Sequence, residues 1–213
     1  MPSVRVLRVF TEASGASGNP LGVVRDAEAI SQERRQAIAA ELGYSETVFV
    51  ERDAHVQIFT PTTELPFAGH PLVGTAWLLG EPVVHTPAGE VRARVEGEWA
   101  WVLARARWCP QFERRQLASP AEVDAFARPA SGSLQVWAWS DERAGRIRAR
   151  VFVPDLGVPE DPATGSATVA LCAALDRAIA IDQGPHCAIE ARPLDEGWIE
   201  LGGRVADDGE REL

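Results

Sequence analysis

Alternation of apolar and polar positions with a period of two governs most of this chain, and a period near 3.6 interrupts it at a few places. Val4, Val6 and Val9 begin an extended segment, and Ser14-Gly15-Ala16-Ser17-Gly18-Asn19-Pro20 breaks it with turn-forming residues before extension resumes over 21–24. Ser31 and Gly43 bracket a helix over 32–42 as N-cap and C-terminal stop, with Glu33, Arg34, Arg35 and Gln36 turned to water. Strands follow over 44–50 and 56–60, then a helix over 72–79 that is apolar all round and so must be buried. Hairpins are predicted for 91–95 with 99–103 around Glu96-Gly97-Glu98, and for 134–139 with 147–152 around residues 141–145. The stretch 110–129 is polar, with a short helix at 121–127. A second buried helix spans 168–179, short strands occupy 189–191 and 198–201, and Gly202-Gly203-Arg204-Val205 leads into a last strand. The pattern predicts an α+β fold of many antiparallel strands with one buried helix per half, without the alternation of a doubly wound parallel sheet.

Both buried helices are entered in the same way. Phe59-Thr60-Pro61 leads through Leu65-Pro66-Phe67-Ala68 to Gly69-His70-Pro71, and Phe152-Val153-Pro154 leads through Pro159-Glu160-Asp161-Pro162-Ala163-Thr164 to Gly165-Ser166. Phe59, Pro61, Pro66, Gly69 and Val73 match Phe152, Pro154, Pro159, Gly165 and Val169. Such an internal repeat predicts two similar halves whose helix N-termini face one another across a cleft. Helix starts present unpaired N–H groups and a partial positive charge, which suits them to a carboxylate.

Composition narrows the function. The 213 residues carry a formal charge of −10 without a Lys/Arg cluster, so neither nucleic acid nor an anionic membrane is an expected partner. Three cysteines, Cys109, Cys172 and Cys187, are too few and too far apart for a disulfide framework or a metal site, and the four histidines show no ligand spacing. No metal is expected. Met1-Pro2-Ser3-Val4-Arg5 runs into the first strand with no signal-like apolar core, so the expected compartment is the cytoplasm. Seven tryptophans are expected mostly in the core.

Among single residues, Glu46 heads the face of a strand that continues as Val48 and Val50. Alone it reads either as a strand-end carboxylate in water or as a proton carrier. His70 reads equally as a loop histidine bonded to backbone or as a site residue. Asp161 is a turn former or a functional acid, with Glu160 beside it able to take the role. Thr164 and Ser166 fit helix capping, substrate contact, or both.

Taken together, Gly18-Asn19-Pro20, Ser45-Glu46-Thr47-Val48-Phe49-Val50, Leu65-Pro66-Phe67-Ala68-Gly69-His70-Pro71 and Glu160-Asp161-Pro162-Ala163-Thr164-Gly165-Ser166-Ala167 resemble the phenazine-biosynthesis (PhzF-like) isomerase family. The resemblance implies a diaminopimelate-epimerase-like fold of two pseudo-symmetric barrel-like halves, each around a central helix. Here they correspond to residues 1–107 and 108–200, with a final strand over 201–213 that can return to the first half. It further implies a cofactor-free isomerase that moves a double bond by proton transfer in a small, cyclic, unsaturated carboxylic acid, and a homodimer. By motif the acid/base falls on Glu46, assisting roles on His70 and Asp161, and the substrate-receiving helix starts on Gly69, Gly165 and Ser166. The segment between Trp108 and Arg146 looks shortened for such a protein, which predicts a smaller second barrel and a more open cleft. Two alternatives compete with this reading. One is a non-catalytic protein that binds a small acid or another protein; the other is a two-base racemase or epimerase, which would need a cysteine where Ala68 and Thr164 precede the glycines.

Overall fold

The computed structural model describes residues 3–15 and 17–213. Ala16 of the first predicted turn, and Met1-Pro2 of the start read as leaderless, lie outside the described residues. The chain opens with strands β1 (Ser3–Thr11) and β2 (Asn19–Val24), helix α1 (Gln32–Leu42), β3 (Glu46–Val50), β4 (Val56–Phe59), the short β5 (Glu64–Leu65) and helix α2 (Gly69–Leu79). Then come β6 (Val83–Thr86), β7 (Gly89–Glu96), β8 (Trp99–Ala104), β9 (Glu113–Gln116), helix α3 (Pro120–Asp124), β10 (Leu134–Asp141), β11 (Arg146–Val153) and β12 (Val158–Asp161). Helix α4 (Gly165–Leu175), β13 (Ile179–Gln183), β14 (Cys187–Pro193) and β15 (Ile199–Glu212) complete it. The fold is mixed α+β, one large sheet curling around two apolar helices.

The repeat is visible in the elements. β4 is paired antiparallel by β5 and followed by α2; β11 is paired antiparallel by β12 and followed by α4, and both helices start on glycine and run for 11 residues. Each has a fully buried first half, as a helix with no polar stripe must. Most strand pairs are antiparallel, but β2 with β3, β9 with β10 and β11 with β13 run parallel.

β15 holds the sheet together. Residues 199–204 pair with β8, Gly202 back to Ile199 with β14, and residues 204–212 with β1. The predicted break at Gly202-Gly203 does not occur, and the reason is packing. A Cβ on Gly202 would fall 2.1 Å from the indole of Trp101, and one on Gly203 would fall 2.5 Å from the ring of Phe10. Phe10 itself is a bulged residue with φ 64°, fully buried, whose ring needs the space Gly203 leaves. The glycines make room for neighbouring aromatics and do not separate two strands.

Other expectations are corrected in the same way. Helix α4 stops at Leu175, not at 179, because Asp176 turns left-handed with φ 48° and Ile179 already belongs to β13. Arg35 is not turned to water but is 3% exposed, with Nε donating to the Ile30 carbonyl at 2.9 Å and Nη2 reaching Glu51 at 2.7 Å. Of the tryptophans only Trp137 is buried; the other six are half-buried, several under guanidinium groups, as where Arg94 lies 3.7 Å from the Trp101 ring centre. The polar stretch 110–129 hides β9, whose side chains are all exposed and so carry no alternation to read.

At the centre, α2 and α4 meet end to end. A Cβ on Gly69 would lie 2.9 Å from the Gly165 carbonyl carbon, and a Cβ on Gly165 would lie 2.7 Å from the His70 nitrogen, with Leu201 of β15 against both. Only glycine fits. Gly165→Ala is therefore expected to cost about 1–3 kcal/mol by overpacking backbone against backbone, read as a lowered denaturation midpoint; an unchanged midpoint would mean that the helix starts separate freely.

Candidate functional site

Four segments bring polar side chains to this helix junction. Glu46 is the first residue of β3 and shares the inner face with Val48 and Val50, which pack in the core around α2, while Phe49 packs on the outer face with α1. His70 is the second residue of α2, and Asp161 ends β12, three residues before Thr164 at the α4 N-cap. Asn19 opens β2. All are buried: Glu46 is 9% exposed, His70 1%, Asp161 3% and Asn19 0%.

The Glu46 Oε2 to His70 Nδ1 distance is 2.8 Å, and the other ring nitrogen, Nε2, lies 3.2 Å from the Asn19 carbonyl oxygen. A carbonyl only accepts, so Nε2 carries a hydrogen. Nδ1 then either accepts a hydrogen bond from a protonated Glu46 or, in the imidazolium, donates to a Glu46 carboxylate. In both states one proton is shared along this contact.

Asp161 is held from both halves. Its Oδ1 accepts from Asn19 Nδ2 at 2.7 Å and from Ser45 Oγ at 2.9 Å, and its Oδ2 accepts from Thr164 Oγ1 at 2.6 Å. Gln183 Nε2 donates in turn to Thr164 Oγ1 at 2.9 Å and to the Asp161 carbonyl at 2.9 Å. Burial, and then the Glu46 charge, push the Asp161 carboxyl up to about 6, against the pull of His70 and the hydrogen bonds from Thr164 and Ser45. Its neighbour Glu160 points the other way, to Arg150 and Arg128, each at 2.7 Å, and is held below the usual carboxylate range chiefly by the Arg150 hydrogen bond. Of the two acids, only Asp161 faces the junction.

Neither helix start carries a capping side chain: Ala68 has none to offer, and the Thr164 hydroxyl is given to Asp161. The first helical bonds run from Leu72 to Ala68 and from Thr168 to Thr164. That leaves the N–H groups of Gly69 and His70, and of Gly165, Ser166 and Ala167, ahead of the intrahelical ladder, with Pro71 contributing none. Because the glycines touch, these groups border the rim of the junction, with no gap between the helices. The cleft is also closed, contrary to the more open one expected from a shortened second half. Asn19 and Ser45 from the first half clasp Asp161 and the Ala163 carbonyl of the second, and Ser17 Oγ bonds the His186 carbonyl at 2.9 Å.

Asn19 is the residue that sequence reasoning left without a role. It stands in the Gly-Asn-Pro motif, and its backbone and side chain join His70 to Asp161; the motif was the only signal for it. The three cysteines are buried and outside the cluster, their thiols pushed up to about 12 by burial, which leaves them poor nucleophiles and poor bases. No helix among the described residues is long and apolar enough to cross a membrane.

The raised Asp161 value has a stability consequence. An unfolded aspartate releases its proton near pH 4, about 3.9, whereas the folded chain keeps it to about 6. The folded state is thus favoured by this group at low pH, and that contribution is lost as pH rises through this window. Asp161→Asn should flatten the slope of stability between pH 4 and 6.5 in denaturant titrations; parallel curves for the two proteins would show that Asp161 titrates normally.

Comparison with known proteins identifies the family and the fold. Residues 7–123 and 123–193 match the family model described as phenazine biosynthesis-like protein. A trans-2,3-dihydro-3-hydroxyanthranilate isomerase of Pseudomonas aeruginosa is 32% identical, over 81% of this chain and 79% of its own length. Among solved structures, a phenazine biosynthesis PhzC/PhzF protein from Clostridium difficile aligns with TM-score 0.81 at 18% identity, covering 100% of this chain and 99% of that one. A hydroxyproline epimerase from Agrobacterium vitis aligns with TM-score 0.63 at 11% identity, over 100% of this chain and 90% of that one, so the fold is shared with epimerases.

Proposed function

The chain belongs to the phenazine biosynthesis-like family and is an isomerase, and from that premise we propose that Glu46 moves a proton along a small, unsaturated, cyclic carboxylic acid of the class to which the dihydrohydroxyanthranilate of the Pseudomonas relative belongs. The observation that carries this reading is the 2.8 Å contact between Glu46 and His70 at the junction of two uncapped helix starts.

In the proposed reaction the Glu46 carboxylate takes an allylic proton, and the electron pair of the broken C–H bond spreads into the conjugated acid. The helix starts at Gly69, Gly165 and Ser166 stabilise the charge developing on the substrate carboxylate. Glu46 then returns the proton at the other end of the conjugated system, so the double bond shifts with no net gain or loss of protons and no cofactor. His70, oriented by the Asn19 carbonyl, holds the shared proton whenever Glu46 is in its carboxylate form. Asp161, ionised at neutral pH with its pKa about 6, serves as a fixed acceptor for a substrate N–H or O–H group. The racemase alternative finds no support, since it needs two thiols at the junction and the residues there are Ala68 and Thr164. The same reading carries a cytoplasmic homodimer with neither nucleic-acid nor membrane partner, in keeping with a net charge of −10.

Glu46→Gln keeps the size of the side chain and removes the transferable proton. It should leave the protein folded and slow the chemical step by about 10²-fold or more. The measurement is deuterium incorporation from heavy water into a dihydro-hydroxyanthranilate by NMR; a folded variant with near-normal exchange would take Glu46 out of the reaction.

The helix starts are tested separately by affinity. An aromatic or unsaturated acid should bind about ten- to a hundredfold more tightly than its neutral amide, because charge-assisted hydrogen bonds are roughly twice as strong as neutral ones. Calorimetric titration of both compounds measures the ratio, and equal affinities would make the helix starts purely structural.

A further inference from the structure

β10, β11 and β12 carry a row of directly opposed residues, Gln135, Val151 and Asp161. Opposed residues on adjacent strands point to the same face of a sheet. Asp161 faces the helix junction, so Gln135 lies on that inner face too. Adjacent strands are about 4.8 Å apart, which puts its Cα roughly 10 Å from that of Asp161. The opposite face is accounted for: Leu134, Val136, Ala138 and Phe152 pack there with Val123 of α3. On the inner face Val151, between the two polar residues, clusters with Ala167 in the first turn of α4, along with the partly exposed Phe112 and Leu156.

Gln135 is 0% exposed, yet neither its Nε2 nor its Oε1 has a hydrogen-bond partner among the described residues. The other buried side-chain polar atoms without a partner among the described residues are the hydroxyls of Thr47 and Thr75 and Oε1 of Gln183, whose amide nitrogen supports Thr164 and Asp161, so Gln135 alone has both a donor atom and a separate acceptor atom unmet. Burying an unsatisfied amide is among the more costly features a core can contain, and native structures hold few. An apolar residue of the same size would suit a purely structural position better. A donor and an acceptor kept together, dry and on the substrate side of the sheet are suited to a ligand that presents one of each.

We propose that Gln135 is a substrate-contacting, specificity-determining residue of the isomerase site, whose amide reads the polar ring substituents of the acid, an amino or hydroxyl group, while the helix starts hold its carboxylate. The assignment rests on the reading of the junction as the isomerase site. It divides the recognition in two: charge at the helix N-termini, ring substitution on β10.

The test compares 2-amino-3-hydroxybenzoate with benzoate in calorimetric titrations of the whole protein, for wild type, Gln135→Met and Gln135→Asn, with a denaturation midpoint for each. Wild type should prefer the substituted acid by about tenfold or more, as a site with paired donors does. Gln135→Met, which fills the space without polar atoms, should erase that preference while its midpoint stays level or rises. Gln135→Asn keeps an amide one methylene short and should weaken the preference. A Met variant that is more stable and still prefers the substituted acid would overturn the proposal, leaving Gln135 as an orphaned core amide. So would loss of folding in both variants, which would make the amide a support of the core. If wild type binds neither acid, the fault lies with the reading of the junction itself, a result distinct from an intact preference that ignores residue 135.

Discussion

Two helices that start against each other set a constraint to which the rest of the molecule conforms. Each helix start carries about half a positive charge, and two such charges roughly 4 Å apart repel by about 1 kcal/mol at the effective dielectric of a protein. Apolar packing brings them together, through the inward faces of the sheet and Leu201 of β15. Glycine at 69 and 165 permits the contact. Two buried acids, Glu46 and Asp161, offset the repulsion, and an anionic substrate would offset it further. The same positive rim that destabilises the free junction is what suits it, in the proposed function, to a carboxylate.

Electrostatics and closure are coupled at this point. With Glu46 and Asp161 both buried, two carboxyl groups share a dry site with one imidazole, and the chain manages them by giving each a different environment. Glu46 is hydrogen-bonded to His70, whereas Asp161 accepts three side-chain hydrogen bonds that partly compensate for its burial. Two of those donors, Asn19 and Ser45, come from the other half of the molecule, so the bonds that tune Asp161 are also the bonds that shut the cleft. Those contacts exclude water from Asp161, and in such a desolvated site helix dipoles act most strongly.

β15 ties strands from early and late in the chain into one seam. Its N-terminal part lies between β8 and β14, and its C-terminal part pairs with β1. The bulge at Phe10 and the glycines at 202 and 203 are the local price of bending this strand past aromatic side chains. The Phe10 ring lies 6.3 Å from the His70 ring, so the strained residue forms one wall of the site.

Much of this was legible in the residues. The period-two runs located the principal hairpins, the apolar helices announced their own burial, and Ser31 and Gly43 marked the ends of α1 to the residue. The inner-face position of Glu46 followed from counting by twos along β3. These are local properties, written at spacings of two to four residues. Tertiary structure decided what no local period encodes. Glu160 and Asp161 are neighbours on one strand and must point to opposite faces, and only the position of β12 beside β11 determines which of them meets His70. Gly202-Gly203 reads as the lead-in to a separate last strand until Trp101 and Phe10, from distant strands, occupy the space where side chains would stand. Asn19 joins residues 51 and 142 positions away, and the unpartnered amide of Gln135 becomes visible only once three strands line up. The sequence by itself determined which groups could do chemistry and on which elements they ride. Their convergence depended on long-range pairing through β15 and on the glycine contact between helices, because a hydrogen bond across the seam leaves no trace in the order of residues on either side of it.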